Sequence, residues 1–297
     1  MLPTTDFFGH EVTRLIIGDN PFNGHSYITD VITQEELLAY HTEERIIEAL
    51  FTAQQAGFNT LLPLGDPFIL RTLQHFSQRG GRLQAIFQPY TAIGLELNLR
   101  MMKDTNAIGA YHQGTTTDFL FENGQTDTIR QNLKILRESG LPVGLGTHRP
   151  DVIELAESEN WDVDFYVACL QNARRGREGE QSGFITGKTK QGLRFFPEDR
   201  PIMLDLIAKV DKPCIAFKIF AGGQIFYGHS PEEIPDVVRN VYREVFSKLK
   251  PSDIAAVGVY QGTKDQIGEN ARLFREVMQE MSLSPAAVNS QSDVKEG

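Results

Sequence analysis

Short apolar runs and longer amphipathic segments alternate along nearly the whole chain, and this alternation limits the possible folds more than any other feature. The eight apolar runs occupy 14–18, 58–62, 83–87, 107–111, 142–146, 164–170, 214–220 and 254–260. Each is apolar almost without interruption, which is typical of parallel strands that are covered on both faces. Repeated strand-then-helix units favour an α/β fold of the closed (β/α)8 TIM barrel type over an open doubly wound sheet.

The predicted barrel takes up residues 1–283 as a single domain, which is a usual size for this fold. Two connections are longer than simple turns, namely 19–42 after the first strand and 171–200 after the sixth. Long loops on a barrel are typical of lids and binding loops. The polar segment 284–297 is predicted to be disordered.

Charge and composition narrow the range of partners. The chain of 297 residues carries a formal net charge of −10 and no cluster of Lys and Arg stands out in it, which argues against nucleic acid or an anionic membrane surface as the main partner. No apolar run approaches the roughly 18 residues of a membrane span, and we identify no signal-peptide pattern. We therefore expect a cytoplasmic protein that acts on a small molecule.

Polar side chains follow the ends of the predicted strands. The carboxyl ends of parallel barrel strands meet at one mouth, so these side chains are expected to converge there. In strand order they are Asp19 with His25 further on, Asp66, Gln88, His112, His148, Gln171 with Asn172, Lys218 and Tyr260. The sequence therefore predicts an active site at the carboxyl-terminal mouth.

Several segments resemble the aldo/keto reductases, a superfamily of barrel enzymes that use NADP. "TRLIIGDNPFNGHSY" is similar to their opening strand and loop, and "ERIIEALFTAQQAGFNTLL" to their first helix and second strand. "GTHRPDVIELA" resembles their strand-5 exit, "AFKIFAGGQ" the strand-7 segment beneath the nicotinamide, and "VGVYQGTKDQIGENARL" the segment after strand 8. The resemblance implies a divergent barrel of this kind, by default a monomer or small homo-oligomer.

The family's catalytic tetrad consists of an aspartate, a tyrosine, a lysine and a histidine, and this sequence matches only one of the four positions. His112 takes the place of the histidine that orients the substrate. Leu62 takes the place of the aspartate, with Asp66 four residues later, and Gln88 that of the lysine. A glutamine has no charge with which to lower a neighbour's pKa, so the usual hydride-transfer machinery is incomplete. We expect a rebuilt site in which His112, Asp66, Gln88 and His148 are catalytic.

The resemblance also implies positions for NADP. Phe217 takes the place of the aromatic residue that stacks on the nicotinamide, and Gln171 or Asn172 would hold its carboxamide. Helix starts favour phosphate because their backbone N–H groups are free. The other candidate cofactor-binding residues are Asp19 and Lys218 at the mouth, Thr263 and Lys264 near a helix start, and Gln266, Glu269 and Asn270 towards the adenine.

Several functional interpretations of this mouth remain open. An aldo/keto reductase-like oxidoreductase would act on a small carbohydrate or hydroxy-carbonyl compound, possibly with NADP. A metal-dependent hydrolase, isomerase or lyase would hold a divalent ion through His25, His112, His148 and Asp19, whose side chains suit Zn²⁺. Lys218 could form a Schiff base with a carbonyl substrate. The chain could also be a catalytically inactive binding protein on the same scaffold.

Overall fold

Eight parallel strands close into a barrel in the computed structural model, which describes residues 1–171 and 195–283. Asn172, most of the loop 171–200 and the segment 284–297 lie outside the described residues. The barrel strands, in the order in which they neighbour one another, are β3 (Leu15–Gly18), β4 (Thr60–Leu62), β5 (Gln84–Phe87), β6 (Ala107–His112), β7 (Val143–Thr147), β8 (Phe165–Cys169), β9 (Cys214–Phe217) and β10 (Ile254–Gly258). Each predicted apolar run overlaps one of these strands, and the TIM barrel is confirmed.

Helices form the outer layer between successive strands. Their bounds are α1 Gln34–Tyr40, α2 Glu43–Ala56, α3 Pro67–Gln78, α4 Leu95–Met102, α5 Gly114–Glu122, α6 Thr126–Arg137, α7 Pro150–Ser158, α8 Asp199–Ile207, α9 Ile234–Lys248 and α10 Gln266–Leu283, with a short 3-10 helix at Ala221–Phe226. Among the described residues, no helix is both long enough and apolar enough to cross a membrane.

Helix α2 illustrates how the sequence sets these bounds. Thr42 caps its start by accepting a hydrogen bond from the Arg45 N–H, and Gly57 ends it in the left-handed conformation, with φ of 100°. Ile46, Ile47 and Leu50 are buried on the face turned to the barrel. The same logic places α1 inside the long connection 19–42, where Thr33 and Glu36 form a capping box.

A hairpin at the amino terminus closes the end of the barrel opposite the predicted mouth. Strands β1 (Thr4–Phe7) and β2 (His10–Thr13) pair antiparallel. Phe7 inserts its fully buried ring among interior residues such as Ile16 and Ile254, and its ring centre lies 5.0 Å from that of Phe165. Apolar side chains thus fill the barrel interior at this end.

Strand β6 contains an irregularity that decides which of its side chains enter the barrel. Ala107 pairs with Ala85, but the next pair joins Gly109 to Ile86, so β6 holds one extra residue. A bulge of this kind reverses the alternation of side chains beyond it. Consequently Tyr111 packs with the barrel interior, whereas the following residue points to the helices.

We expect Phe7→Ala to lower the free energy of unfolding by about 3–5 kcal/mol, because it leaves a cavity where a buried ring filled the barrel end. Urea denaturation of the purified variant measures this loss. Phe119→Ala is the matched control, since Phe119 is 46% exposed and its loss should change stability by less than about 1 kcal/mol. Equal losses in the two variants would contradict the role of Phe7 as a plug.

Candidate functional site

His112 lies on the outer side of the barrel wall, and the structure does not bring it into the mouth. Its Nδ1 is 2.7 Å from the Thr117 hydroxyl on α5, and its Nε2 is 3.0 Å from the Asn132 side-chain amide on α6. The ring is 5% exposed, and burial lowers its pKa to about 4. The geometry therefore corrects the prediction of a substrate-orienting histidine, because the β6 bulge turns Tyr111 inward in its place.

His148 is held at the mouth by a buried carboxylate that the sequence analysis missed. Asp118 on α5 accepts a hydrogen bond from the His148 Nδ1 at 2.7 Å and from its backbone N–H at 3.2 Å. The Thr147 hydroxyl also donates to Asp118. These three donors satisfy the buried carboxylate and fix the position and tautomer of the imidazole, leaving Nε2 as the acceptor.

Lys218 completes the group that starts at Asp118. Its Nζ is 3.2 Å from the His148 Nε2, just beyond the end of β9. Its backbone is in the left-handed region, with φ of 56°, which is costly for a residue with a side chain and is often associated with functional sites. The Lys218 amine thus lies next to the imidazole that Asp118 holds in place.

Aromatic rings surround the amine of Lys218. Its Nζ lies 4.8 Å from the ring centre of Tyr27, 5.3 Å from Phe217 and 5.7 Å from Phe195. Burial lowers the pKa of Lys218 to about 8, although the nearby Cys169 and Asp118 act in the opposite direction. The pKa of His148 is also lowered, first by burial and then by the charge of Lys218. Near neutral pH the site thus combines a neutral imidazole with an amine that loses its proton easily.

Asp19 occupies the neighbouring part of the mouth, at the end of β3. Its Oδ2 accepts hydrogen bonds from the Asn23 side chain and from the Leu64 N–H, both at 2.6 Å. Burial nevertheless raises its pKa to about 7, and the charge of Asp66 adds to the shift. Asp19 was predicted to contact a cofactor, but this environment gives it the properties of an acid–base group.

Asp66 and Gln88 lie at the mouth as predicted but are held by their own loops. Asp66 is the N-cap of α3, where Oδ1 accepts hydrogen bonds from the Phe68 and Ile69 N–H groups. Gln88 accepts a hydrogen bond from the Tyr111 hydroxyl at 3.1 Å. The Tyr111 side chain reaches Gln88 from the barrel interior. The catalytic roles of Asp66 and Gln88 remain predictions.

Two of the predicted cofactor-binding residues flank Lys218. Phe217 is partly buried at the end of β9, with its ring centre 5.5 Å from that of His148. Gln171 is 1% exposed and its Nε2 donates to the Lys218 carbonyl at 3.5 Å, while its buried Oε1 has no hydrogen-bond partner among the described residues. Its neighbour Asn172 lies outside the described residues.

The predicted adenine contacts on α10 are largely satisfied within the protein. Gln266 accepts a hydrogen bond from the Tyr260 N–H, and Asn270 binds Tyr242 on α9. Lys264 and Glu269 form a salt bridge with 2.6 Å between Nζ and Oε2. These side chains hold the barrel's last loop and helix together, so a cofactor would have to compete with existing bonds.

The start of α10 also lacks the free N–H groups that would attract a phosphate. The Asp265 carboxylate accepts from the Gly268 N–H at 2.9 Å, and the Gln261 side chain accepts from the Ile267 N–H at 3.1 Å. Thr263 is exposed beside them. A phosphate at this position would face the negative charge of Asp265, so the described residues do not fit the phosphate end of NADP.

The alternative metal site is not assembled in the described part of the chain. His112 faces α5 and α6, His148 is bound to Asp118 and Lys218, and His25 is exposed in the 19–42 loop. Within residues 1–171 and 195–283, no three His, Cys, Asp or Glu side chains lie close enough together to hold a metal ion. The four residues share the barrel's carboxyl-terminal side without meeting at one point.

Sequence reasoning missed Asp118, Tyr27 and Tyr111. Asp118 belongs to a helix and follows no strand, so a search of strand exits could not find it. Tyr27 lies inside a loop that was noted only for its length, and its phenol accepts a hydrogen bond from Asn20 at 3.3 Å. Tyr111 adjoins the predicted residue, and only the extra residue in β6 reveals which of the two enters the barrel.

The barrel is similar to those of several known enzymes at low sequence identity. An aldo-keto reductase from Bacillus halodurans in its holo form matches with a TM-score of 0.56 and 9% identity, covering 95% of this chain and 96% of the other. An aldo/keto reductase from Brucella melitensis gives 0.52 and 12%, covering 92% and 94%. A dihydropteroate synthase from Xanthomonas albilineans gives 0.52 and 11%, covering 96% and 100%. Neither a family model nor a curated protein sequence matches the chain.

These similarities confirm the expected resemblance to aldo/keto reductases at the level of the fold. The same scaffold similarity extends to a synthase with different chemistry, and identities of 9–12% carry no residue-level correspondence. The chemistry must therefore be argued from the side chains at the mouth.

We expect His112→Ala to lower the free energy of unfolding by about 2–4 kcal/mol, because it removes a buried ring with polar partners at both nitrogens. Urea denaturation measures the loss, and His10→Ala in the exposed hairpin should change stability by less than about 0.5 kcal/mol. A His112→Ala loss of less than about 1 kcal/mol would instead favour the substrate-orienting role expected from the sequence.

Proposed function

We propose that this barrel is an enzyme that uses Lys218 to form an imine with a small polar carbonyl substrate. One observation carries the proposal: the Lys218 amine lies 3.2 Å from the Nε2 of a histidine whose other nitrogen is bound to a buried carboxylate. A nucleophile beside a base that is oriented by a third group is the arrangement used for covalent catalysis. The hydroxy-carbonyl and carbohydrate substrates expected from the sequence are suitable electrophiles.

The environment keeps Lys218 reactive. With its pKa at about 8, roughly one amine in ten is neutral at pH 7, far more than for an ordinary lysine. The lowered pKa of His148 keeps the imidazole neutral, so that its Nε2 can accept a proton from the amine. Burial raises the pKa of Tyr27, whose phenol stays protonated and can donate a hydrogen bond to the substrate oxygen.

The chemical step follows from these protonation states. The neutral Nζ attacks the carbonyl carbon, an N–C bond forms, and the electron pair of the C=O bond moves to the oxygen. His148 accepts the proton that the nitrogen loses and returns it to the alkoxide oxygen, which gives the neutral carbinolamine. A second proton is taken up as the C–O bond breaks, so amine, carbonyl and one proton give a protonated imine and one water. The imine then draws electrons from the adjacent carbon.

We expect sodium cyanoborohydride to trap glycolaldehyde or dihydroxyacetone covalently on Lys218, which intact-protein and peptide mass spectrometry would detect. The rate of trapping should rise with pH with a midpoint of about 8, because neutral amine is the reacting form. Lys218→Ala should abolish this adduct. His148→Gln, which retains a polar group but loses the basic nitrogen, should slow trapping by about 10²–10⁴-fold.

The matched control is Lys134→Ala, which removes an exposed lysine on α6 and should leave trapping at Lys218 unchanged. Labelling spread over surface lysines, with a pH midpoint above 10, would overturn the proposal. That outcome would favour the interpretation of the chain as a catalytically inactive binding protein.

A second candidate is an NADP-dependent oxidoreductase, favoured by the buried Oε1 of Gln171, which has no hydrogen-bond partner within residues 1–171 and 195–283, and by the aromatic ring of Phe217 at the end of β9. An amide oxygen and an aromatic face suit a nicotinamide ring and its carboxamide. The holo aldo-keto reductase with a similar barrel also supports this candidate. The blocked start of α10 counts against it, because Asp265 and Gln261 already use the N–H groups there.

We expect no saturable NADPH binding below about 0.1 mM, as followed by the quenching of protein or cofactor fluorescence. The control is Asp265→Asn, which removes the carboxylate charge at the helix start. Tight NADPH binding by the unaltered protein would make the oxidoreductase the leading function. A cytoplasmic location and a monomeric or small homo-oligomeric state also remain predictions.

A further inference from the structure

A cleft of about 510 Å³ opens beside the mouth, between the loop after β3 and the loops after β4 and β5. It is lined by both polar and aromatic side chains, among them Asn23, Asp66, Phe68, Arg71 and Tyr90. None of the functions predicted from the sequence assigns a role to Arg71 or Tyr90. A cleft of this volume is large enough for a small-molecule ligand.

The cleft shares a wall with the mouth through Asp19. Asn23 and Leu64 both line the cleft, and both donate hydrogen bonds to the Asp19 Oδ2 at 2.6 Å. A ligand in the cleft therefore lies against the residues that hold the Asp19 carboxyl group. On the other side, the Lys218 Nζ lies 4.8 Å from the ring centre of Tyr27, whose pKa is raised by burial and also by the nearby charge of Asp19, so Tyr27 connects Lys218 to Asp19.

Arg71 gives the cleft an available positive charge. It is exposed on α3 and has no salt bridge or side-chain hydrogen bond with the described residues. The nearest acidic group on the same helix, Asp66, directs Oδ1 to the Phe68 and Ile69 N–H groups instead, and its buried Oδ2 has no hydrogen-bond partner among the described residues. A guanidinium group binds carboxylate and phosphate oxygens through paired N–H groups.

The wall that carries Tyr90 is fixed in place by one buried side chain. Asn98 on α4 donates to the Gly65 carbonyl at 2.6 Å and accepts from the Tyr90 N–H at 2.8 Å, so it ties the loops after β4 and β5 together. A Cβ at Gly65 would lie 2.2 Å from the terminal methyl of Met102 and 3.0 Å from the Asn98 Oδ1, so a larger residue there would displace these side chains. The cleft is thus preformed, which reduces the entropic cost of binding.

We propose that this cleft binds an anionic group of the carbonyl substrate, a phosphate or carboxylate held by Arg71, with Tyr90 and Phe68 beside its carbon skeleton. The proposal rests on the function proposed above and narrows it to anionic carbonyl compounds. Different residues bind the two ends of the substrate. Lys218 and His148 act on the carbonyl, and Arg71 holds the opposite, charged end.

The test compares pairs of probes that differ by one anionic group. Dihydroxyacetone phosphate is compared with dihydroxyacetone for the phosphate, and 4-oxopentanoate with 2-pentanone for the carboxylate. Trapping on Lys218 should be faster for the anionic member that matches the natural group. Arg71→Ala should slow the trapping of that member by about 10–100-fold and leave its neutral counterpart unchanged. Arg82→Ala is the matched control, because Arg82 is also exposed and has no salt bridge in the described structure.

Direct binding of an anion without a carbonyl group separates this inference from the lysine chemistry. Glycerol 3-phosphate and butyrate are titrated calorimetrically into the unaltered protein and into the Lys218→Ala, Arg71→Ala and Arg82→Ala variants. We expect one of the two anions to bind, with an affinity that falls at least tenfold in Arg71→Ala alone.

Each outcome decides between the two proposals. Arg71-dependent binding without any Lys218 adduct would support the anion site and overturn the imine chemistry. Trapping on Lys218 with neither anion bound, or with equal rates for charged and neutral probes in all variants, would overturn the anion site alone.

Discussion

The carboxylate of Asp118 organises the chemistry of the mouth although it lies on a helix behind the barrel wall. A buried carboxylate is stable only when hydrogen-bond donors surround it, and Asp118 finds them in the last residues of β7 and just beyond. These bonds fix the imidazole of His148 so that its Nε2 faces Lys218. The short distance between the Lys218 amine and the His148 Nε2 thus depends on a contact between α5 and β7.

The two halves of the mouth have complementary properties. On the β9 side, burial lowers the pKa of Lys218 to about 8, and on the β3 side it raises the pKa of Asp19 to about 7. Desolvation disfavours the charged form of both groups and so moves their pKa values towards neutrality from opposite directions. Both groups can therefore gain or lose a proton near physiological pH, as the imine formation proposed above requires.

The barrel's similarity to aldo-keto reductases and to a dihydropteroate synthase illustrates how loosely this scaffold is tied to chemistry. The start of α10, after β10, also shows that a similar fold can lack the binding site expected from it. Its N–H groups bind Asp265 and Gln261, so the position where a phosphate would be expected is filled by the chain's own side chains. A matching segment in the sequence does not guarantee a matching site.

Local patterns determined the barrel and the general location of the candidate site. Apolar runs of strand length separated by amphipathic helices are enough to predict the parallel strands, and strand exits are enough to place Asp19, His148 and Lys218 at one mouth. Only the tertiary structure decided which of these side chains meet. One extra residue in β6 turned His112 outward and Tyr111 inward, and no periodicity reveals such a residue. Asp118 binds His148 from a helix, because the hydrogen-bond donors that a buried carboxylate needs are close to it in space and distant in the sequence.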